Sequence, residues 1–174
     1  MRYNRMLQDG AVYHVTARVN NREYLLEEFE AKRLFEVVLI RAKKKYSFRV
    51  ENFVIMGNHV HLILQPNDGC LLSRLMQWIL SVFASLYNKI HKRTGHFWGE
   101  RFFSRILNSI LQYLKAHEYV NLNPLTAGLV EAGSIWRFSG EYHRHFNWHF
   151  ILDEPTRCFS RIIQFRDPFD KPIA

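Results

Sequence analysis

The sequence predicts an α+β fold in which helices pack on one face of an antiparallel sheet. Three observations lead to this prediction. Short apolar or alternating segments have the character of strands, and longer segments carry apolar residues at helical spacing. Their order along the chain is strand, helix, strand, strand, helix, strand. The 174 residues are 48% hydrophobic, which is enough apolar material for the core of one domain.

The first predicted elements form a strand, a helix and a hairpin. Residues 10–20 alternate apolar and polar side chains and end in a turn-like Asn-Asn pair, which indicates a strand. Residues 27–46 carry apolar residues at helical spacing with Lys and Arg between them, which indicates an amphipathic helix with a basic outer face. Residues 48–56 and 59–65 are apolar strands, and the Gly-Asn break between them favours a hairpin.

The next elements repeat the pattern of helix and strand. Residues 71–91 form a second amphipathic helix, and the aromatic and basic residues 95–107 are predicted to form a loop and a strand. The resulting β-α-β-β-α-β order is that of a ferredoxin-like (RRM-like) fold. We expect residues 1–166 to form a single domain and residues 167–174 a loose tail.

A third helix is predicted after the last strand. Asn108 or Ser109 can cap its first turn. We expect it to end near Asn121, because Pro124 disfavours helical geometry at the preceding residue, Asn123.

The charge of the chain points to a polyanionic partner. The net charge is +8 and the isoelectric point is near 9.7, so counterion release from phosphates would drive binding to nucleic acid. Aromatic residues interleaved with arginines suit the stacking of unpaired bases. They occur in three short segments: Phe97-Trp98, Arg101-Phe102-Phe103 and Trp136-Arg137-Phe138.

Composition also excludes several classes. No apolar stretch is long enough to cross a bilayer, and the first residues do not look like a signal peptide. The two cysteines are too few for a disulfide framework or a cysteine-rich zinc site. We therefore expect a cytoplasmic, nucleoid-associated protein without a membrane partner.

Two histidines stand out at the start of the third predicted strand. His59 and His61 are two residues apart, so both imidazoles point to the same side of the strand. Such a pair can bind a divalent cation and leave positions open for substrate oxygens. A His-x-His tripeptide alone is more often structural, and its surroundings must decide.

Four segments, in the right order, carry a resemblance to a known family. Residues 54–64, with Asn-His-Val-His-Leu at their centre, resemble the histidine-hydrophobic-histidine (HUH) motif of the single-tyrosine transposases. Residues 13–23, 95–102 and 118–130 are similar to three further signature segments of that family. The resemblance covers residues 13–142 and is strongest to the REP-associated tyrosine transposases.

Three positions depart from the family pattern. Gly57 replaces a proline, which affects the stiffness of the turn more than its chemistry, and Val19 replaces a glycine. Thr126 stands where an arginine is usual, so any phosphate contact made by that arginine is lost here or supplied by another residue.

The resemblance implies a metal-dependent endonuclease and strand transferase acting on single-stranded or hairpin-forming repeat DNA. A tyrosine hydroxyl would attack a phosphodiester and form a covalent 5′-phosphotyrosine. Tyr119 matches the family's nucleophile, and Tyr113 is the rival among the eight tyrosines. Asn123, four residues after Tyr119, would join His59 and His61 as the third ligand of Mg²⁺ or Mn²⁺.

DNA contacts are expected at cations, amides and one indole. The turn near the active site, two predicted phosphate clamps and a stacking ring contribute Arg18, Asn20, Asn21, Arg22, Arg101, Arg105 and Trp98. The other histidines are expected to be packed groups or solvated surface, the latter applying to His143, His145 and His149.

Two other functions use the same residues. One is a catalytically inactive DNA-hairpin-binding regulator derived from a transposase. The other is a hydrolytic metalloenzyme for small substrates, which leaves the basic charge and the pairing of Tyr119 with Asn123 unexplained. Monomer and homodimer both remain open, as does whether the tyrosine acts within its own subunit.

Overall fold

The structure, a computed structural model, describes Gln8, residues 10–67 and residues 69–154. The predicted domain end at residue 166 and the predicted tail at residues 167–174 lie outside the described residues. The elements, in chain order, are β1 Tyr13–Arg18, a 3₁₀ turn Asn20–Arg22, α1 Phe29–Lys45, β2 Phe48–Ile55, β3 His59–Pro66, α2 Leu72–Ile90, β4 Phe103–Ile106, α3 Ile110–Thr126 and α4 Gly140–His145.

The four strands form one sheet in the order β2-β3-β1-β4, and each neighbouring pair is antiparallel. This topology confirms the predicted ferredoxin-like α+β fold. The first three strands and the first two helices each lie within three residues of their predicted boundaries, and β4 falls within the segment 95–107 that was predicted to form a loop and a strand. The sequence pattern was informative here because the period of the apolar residues changes clearly between strands and helices.

Helices cover both faces of the sheet. The core beneath α1 and α2 takes the even-numbered side chains of β3, such as Leu62. The opposite face carries Ile63 of β3 and Val54 of β2, and α3 packs against it through Val120. The prediction of helices on one face therefore holds for α1 and α2, whereas α3 lies on the other face. A helix packs on that face because the face has apolar side chains of its own, which the helix buries.

Helix α3 continues through Pro124, so the prediction that it ends near Asn121 is wrong. Ser109 caps its start by accepting a hydrogen bond from the backbone of Gln112, as the sequence indicated. Proline removes one backbone donor, and the packing of Val120 against the sheet outweighs that loss. The persistence of the helix keeps Asn123 within its regular geometry.

A β-bulge in β2 directs two polar residues towards α3. Val50 pairs with Leu64 and Asn52 pairs with Ile63, so Glu51 is an extra residue between them. If β2 were regular and Glu51 took its own place in the pairing, Asn52 would share the face of Val50 beneath α1 and α2. The bulge instead gives α3 two buried polar partners.

Both partners hold α3 by hydrogen bonds. The Tyr113 hydroxyl donates to Glu51 Oε2 at 2.5 Å, and Asn52 Nδ2 donates to Asn121 Oδ1 at 2.8 Å. Glu51 and Asn52 are both buried, so removal of either contact would cost a hydrogen bond in the interior. These bonds therefore fix where α3 sits on the sheet.

The segment after α3 closes over the edge of β2. Glu36 of α1 is fully buried and accepts hydrogen bonds from His143 Nε2 at 2.8 Å and from Arg33 at 2.6 Å. Burial raises the pKa of Glu36, but these hydrogen bonds and the nearby Arg137 bring it below its usual value. The prediction of solvated surface is therefore wrong for His143, which is buried against a carboxylate 107 residues away. It holds for His145 and His149, which are exposed.

Gly140 should tolerate no side chain. A Cβ at this position would lie 2.3 Å from Asn52 Oδ1 and 3.1 Å from the backbone nitrogen of Phe53. Alanine normally stabilises a helix relative to glycine. We nevertheless expect Gly140→Ala to lower the free energy of unfolding by about 1–3 kcal/mol, as overpacking does. Urea denaturation measures the change.

The matched control is Ser134→Ala in the exposed segment before α4, which should alter stability by less than about 0.5 kcal/mol. An equal or higher stability of Gly140→Ala would contradict the close approach of α4 to β2.

Candidate functional site

The two histidines of β3 face α3, where His61 lies against Tyr119. His59 lies opposite Arg18 of β1, and His61 lies opposite Thr16. The ring centres of His59 and His61 are 4.9 Å apart, and the Tyr119 ring lies 5.3 Å from that of His61 at an interplanar angle of 88°. Residues about sixty positions apart in sequence are therefore neighbours within one chain.

His61 has one ring nitrogen engaged and one without a partner. Its Nδ1 lies 2.9 Å from Thr16 Oγ1 and 3.0 Å from His14 Nε2. Its Nε2 is buried and has no hydrogen-bond partner among the described residues. With Nδ1 as the donor, the lone pair of Nε2 is left for a ligand.

Electrostatics keep His61 neutral. Burial, together with the neighbouring His14, His59 and Arg18, lowers the pKa of His61 to about 2. Burial and Arg105 also lower the pKa of His14. A neutral imidazole has a free lone pair, which is the form that binds a cation.

His59 is oriented by two asparagines. Its Nδ1 lies 2.7 Å from Asn58 Oδ1, and its side chain is also hydrogen-bonded to Asn123. Burial and Arg18 lower the pKa of His59 below its usual value, which outweighs the effect of that hydrogen bond. Asn58 in turn donates to the backbone oxygen of Arg22 at 3.1 Å. Turn formation was the role expected for Asn58, and the structure adds the orientation of His59.

The donor set fits a divalent cation. It consists of the unpartnered Nε2 of His61, a neutral imidazole at His59 and the side-chain amide of Asn123. Across the described residues no group of three or more His, Cys, Asp or Glu side chains could hold a metal. A cation held by two imidazoles and an amide would keep coordination positions open for substrate.

The two candidate tyrosines differ in access. Tyr119 is 53% exposed, and its ring lies beside His14 and His61. Tyr113 is fully buried, and its hydroxyl is held by Glu51. Of the two, Tyr119 is the one whose hydroxyl a DNA strand can reach. Tyr113 serves to position the helix.

The predicted DNA contacts separate into two groups. Arg18 lies beside His59, and Arg105 pairs with His14 across β1 and β4. The turn of Asn20, Asn21 and Arg22 adjoins Asn58, which bonds to the Arg22 backbone. This first group borders the histidine pair.

The second group, Trp98 and Arg101, lines a groove beside α2, away from the histidines. Trp98 Nε1 donates to the backbone oxygen of Leu80 at 2.9 Å, and its ring packs against Phe83 and Phe97. These contacts explain the position of the indole without a DNA base stacked on it.

The docking role of Glu51 and Asn52 was missed from the sequence. A signal was present, because two adjacent polar residues interrupt a strand that is apolar on either side. Their partners on α3 could not be identified without the bulge that turns them. Their contribution to the site is indirect, through the position of Tyr119.

Comparison with known proteins identifies the family. Residues 8–123 match the model of the family described as "Transposase IS200 like", which is more than half of the chain. The chain belongs to the IS200-like transposase family. The resemblance found in the four sequence segments is thereby confirmed.

Two relatives of this transposase cover most of its length. It is 24% identical over 148 residues to the REP-associated tyrosine transposase of Escherichia coli strain K12, with 82% of each chain covered. A solved structure of a REP-associated tyrosine transposase bound to a REP hairpin matches with a TM-score of 0.71 at 22% identity. That match covers 86% of this chain and 87% of the other. The structural match shows the shared fold.

None of the transposase helices among the described residues is long and apolar enough to span a membrane.

His117 of α3 should make the stability of the transposase depend on pH. Burial, with Arg144 and His14 nearby, lowers the pKa of His117 to about 3 from 6.5. Between these values the unfolded chain binds a proton that the folded chain does not. The free energy of unfolding is therefore greatest above pH 6.5 and should fall as the pH decreases towards 3. At about pH 5 the loss from this residue should be roughly 1–2 kcal/mol.

Urea denaturation of wild type and His117→Gln at several pH values measures this effect. The variant should show a shallower dependence on pH, whereas Ser134→Ala, which replaces no titratable group, should keep the wild-type slope. Equal slopes for wild type and His117→Gln would contradict the prediction.

Proposed function

We propose that this transposase cuts and rejoins single-stranded DNA through a covalent bond between Tyr119 and a 5′-phosphate. The observation that carries the proposal is the proximity of Tyr119 to His61, with ring centres 5.3 Å apart. The exposure of the tyrosine supports it, as does the net charge of +8. The family membership supplies the class of reaction, which is transposition.

In the proposed reaction the Tyr119 oxygen attacks the phosphorus of a phosphodiester. The bond from phosphorus to the 3′-oxygen breaks, and the 5′-phosphate stays on the tyrosine. A later attack by a 3′-hydroxyl on this phosphotyrosine releases the tyrosine and rejoins the strand. Since one phosphoester replaces another at each step, rejoining needs no nucleoside triphosphate.

We propose that His59, His61 and Asn123 hold a divalent cation, Mg²⁺ or Mn²⁺, beside the tyrosine. The unpartnered Nε2 of His61 and the hydrogen bond between His59 and Asn123 support this assignment. When bound, such a cation polarises the scissile phosphate and stabilises the charge that develops on it. The chain's own part is to hold the two imidazoles neutral and oriented.

The proposed substrate is a repeat that forms a hairpin with a single-stranded flank. The solved relative is bound to a REP hairpin, and its fold covers 86% of this chain. Arg18, Arg105 and the turn at residues 20–22 border the histidines and would contact DNA phosphates there. Because Tyr119 lies beside the histidines of its own chain, each subunit would carry a complete site.

The test of the nucleophile is covalent capture of labelled single-stranded DNA in the presence of Mn²⁺. Wild type should give a labelled protein band that survives denaturation. Tyr119→Phe should abolish the band, because it removes the attacking oxygen, and should still bind the DNA. Tyr142→Phe, which removes a hydroxyl outside the site, should leave the band unchanged.

Tyr113→Phe tests the rival assignment, in which Tyr113 is the nucleophile. It should lower stability by about 1–3 kcal/mol, since it removes a buried hydrogen bond to a carboxylate, and keep the band. A band that persists in Tyr119→Phe and disappears in Tyr113→Phe would refute the assignment of the nucleophile. Hairpin binding without a covalent band under any divalent cation would indicate an inactive, DNA-binding regulator instead.

Metal binding should depend on Asn58. Its side-chain oxygen lies 2.7 Å from His59 Nδ1 and so orients the ring. We expect Asn58→Ala to weaken the affinity for Mn²⁺ by about 10–100-fold, as the loss of such supporting groups does. Isothermal titration calorimetry with Mn²⁺ alone measures the affinity. Asn67→Ala, beyond the other end of β3, should bind as wild type, and unchanged binding by Asn58→Ala would exclude this role.

A further inference from the structure

A basic cleft adjoins Tyr119 on the side of the amino-terminal half of α3. It has a volume of about 460 Å³ and lies between α3 and the strands β1 and β4. Arg105 and His14 contribute from the strands, and Gln112 and Lys115 contribute from the helix. Tyr119 forms part of its wall, so the cleft and the proposed nucleophile are continuous.

The cleft carries positive charge, and among the described residues that line it none is acidic. The side chains of Arg105 and Lys115 are exposed, and in the described part of the chain neither forms an ion pair. Two cations that face one cleft without a carboxylate repel each other, and an anion placed between them removes that repulsion.

The helix arranges the polar groups of the cleft in line with the nucleophile. Lys115 precedes Tyr119 by four residues, and Gln112 precedes it by seven, so all three lie on one side of α3. Asn123 lies four residues beyond Tyr119 on the same side. The order along the helix is therefore cleft, tyrosine and histidine pair.

We propose that this cleft binds the phosphodiester that neighbours the scissile one, with Lys115 and Arg105 as its ligands. The inference rests on the proposed function, since it takes the DNA strand as the ligand. A strand that places one phosphate at Tyr119 runs along α3, and its next phosphate lies over the two cations. Gln112 donates to the same phosphate or to its sugar. Lys115 thereby positions the strand for attack.

The test asks whether the loss of affinity caused by a protein substitution depends on one neutral linkage in the DNA. Such a dependence is termed coupling between the residue and the linkage. A methylphosphonate replaces one charged phosphate oxygen by a methyl group. A set of single-stranded oligonucleotides carries this change at one linkage each, on both sides of the cleavage position. Their affinity is measured by fluorescence anisotropy in the Tyr119→Phe background without divalent cation, so that neither cleavage nor metal binding contributes.

Lys115→Ala should weaken binding of the unmodified strand by about three- to tenfold at low salt. The slope of log affinity against log salt should fall by about 0.7, the value for one phosphate contact on single-stranded DNA. At one linkage adjacent to the scissile one, the methylphosphonate should weaken binding by the Tyr119→Phe protein as much as Lys115→Ala does. It should have no further effect when Lys115→Ala is also present. Lys115→Arg should retain most of the affinity, because it retains the charge.

Lys89→Ala is the matched control, since it removes an exposed lysine from α2 on the other face of the sheet. It should show no coupling to any single linkage. The proposal is overturned if Lys115→Ala couples to no linkage, or only to the scissile linkage. The covalent capture experiment is independent of this result. Coupling without capture would refute the proposed reaction and keep the cleft, and capture without coupling would do the reverse.

Discussion

Side-chain alternation along β3 is the constraint on which the rest of the structure depends. The strand lies between β2 and β1, and both of its faces are covered. Val60 and Leu62 fill the core beneath α1 and α2, whereas His59 and His61 point to α3. A slip by one residue would turn both imidazoles into that core and place the apolar residues of β3 against α3. The packing of the core thus fixes the direction of the histidines.

The same arrangement makes the site rigid before any ligand arrives. His61 is bonded to Thr16 and His14 on the neighbouring strand, so its ring is held by the sheet itself. Tyr119 is held from the other side by a helix that is anchored through Glu51 and Asn52. His61 and Tyr119 therefore do not depend on a loop for their position, and such preorganisation is what a reaction at a single phosphate requires.

Much of this arrangement could be predicted from sequence because it follows from local periodicity. Residues close together in the chain determine the order of the elements along the sequence, the shared face of His59 and His61, and the cap at Ser109. Pro124 shows where local rules fail. It disfavours a helix in isolation, but burial of Val120 against a sheet formed by distant residues decides the outcome.

Which polar residues are buried, and on which side of the sheet a cation lies, also could not be predicted without the full structure. His143 belongs to a short histidine-rich stretch whose neighbours indicate exposed surface. In the structure its ring is buried and hydrogen-bonded to Glu36 of α1. Arg101 and Arg105 are four residues apart and equally basic. The path of the chain before β4 sends Arg101 towards α2 and leaves Arg105 opposite His14. No pattern in the sequence of these residues distinguishes the two.

The bulge at Glu51 means that the two polar anchors of α3 can be lost separately. Val50 and Asn52 pair with consecutive residues of β3, so deletion of Glu51 would restore regular alternation along β2 and leave Asn52 facing α3. The hydrogen bond from Tyr113 would be lost, whereas Asn52 would keep its bond to the helix. The loss of a single codon at this point of the strand would therefore remove one contact without reversing the faces of the residues that follow.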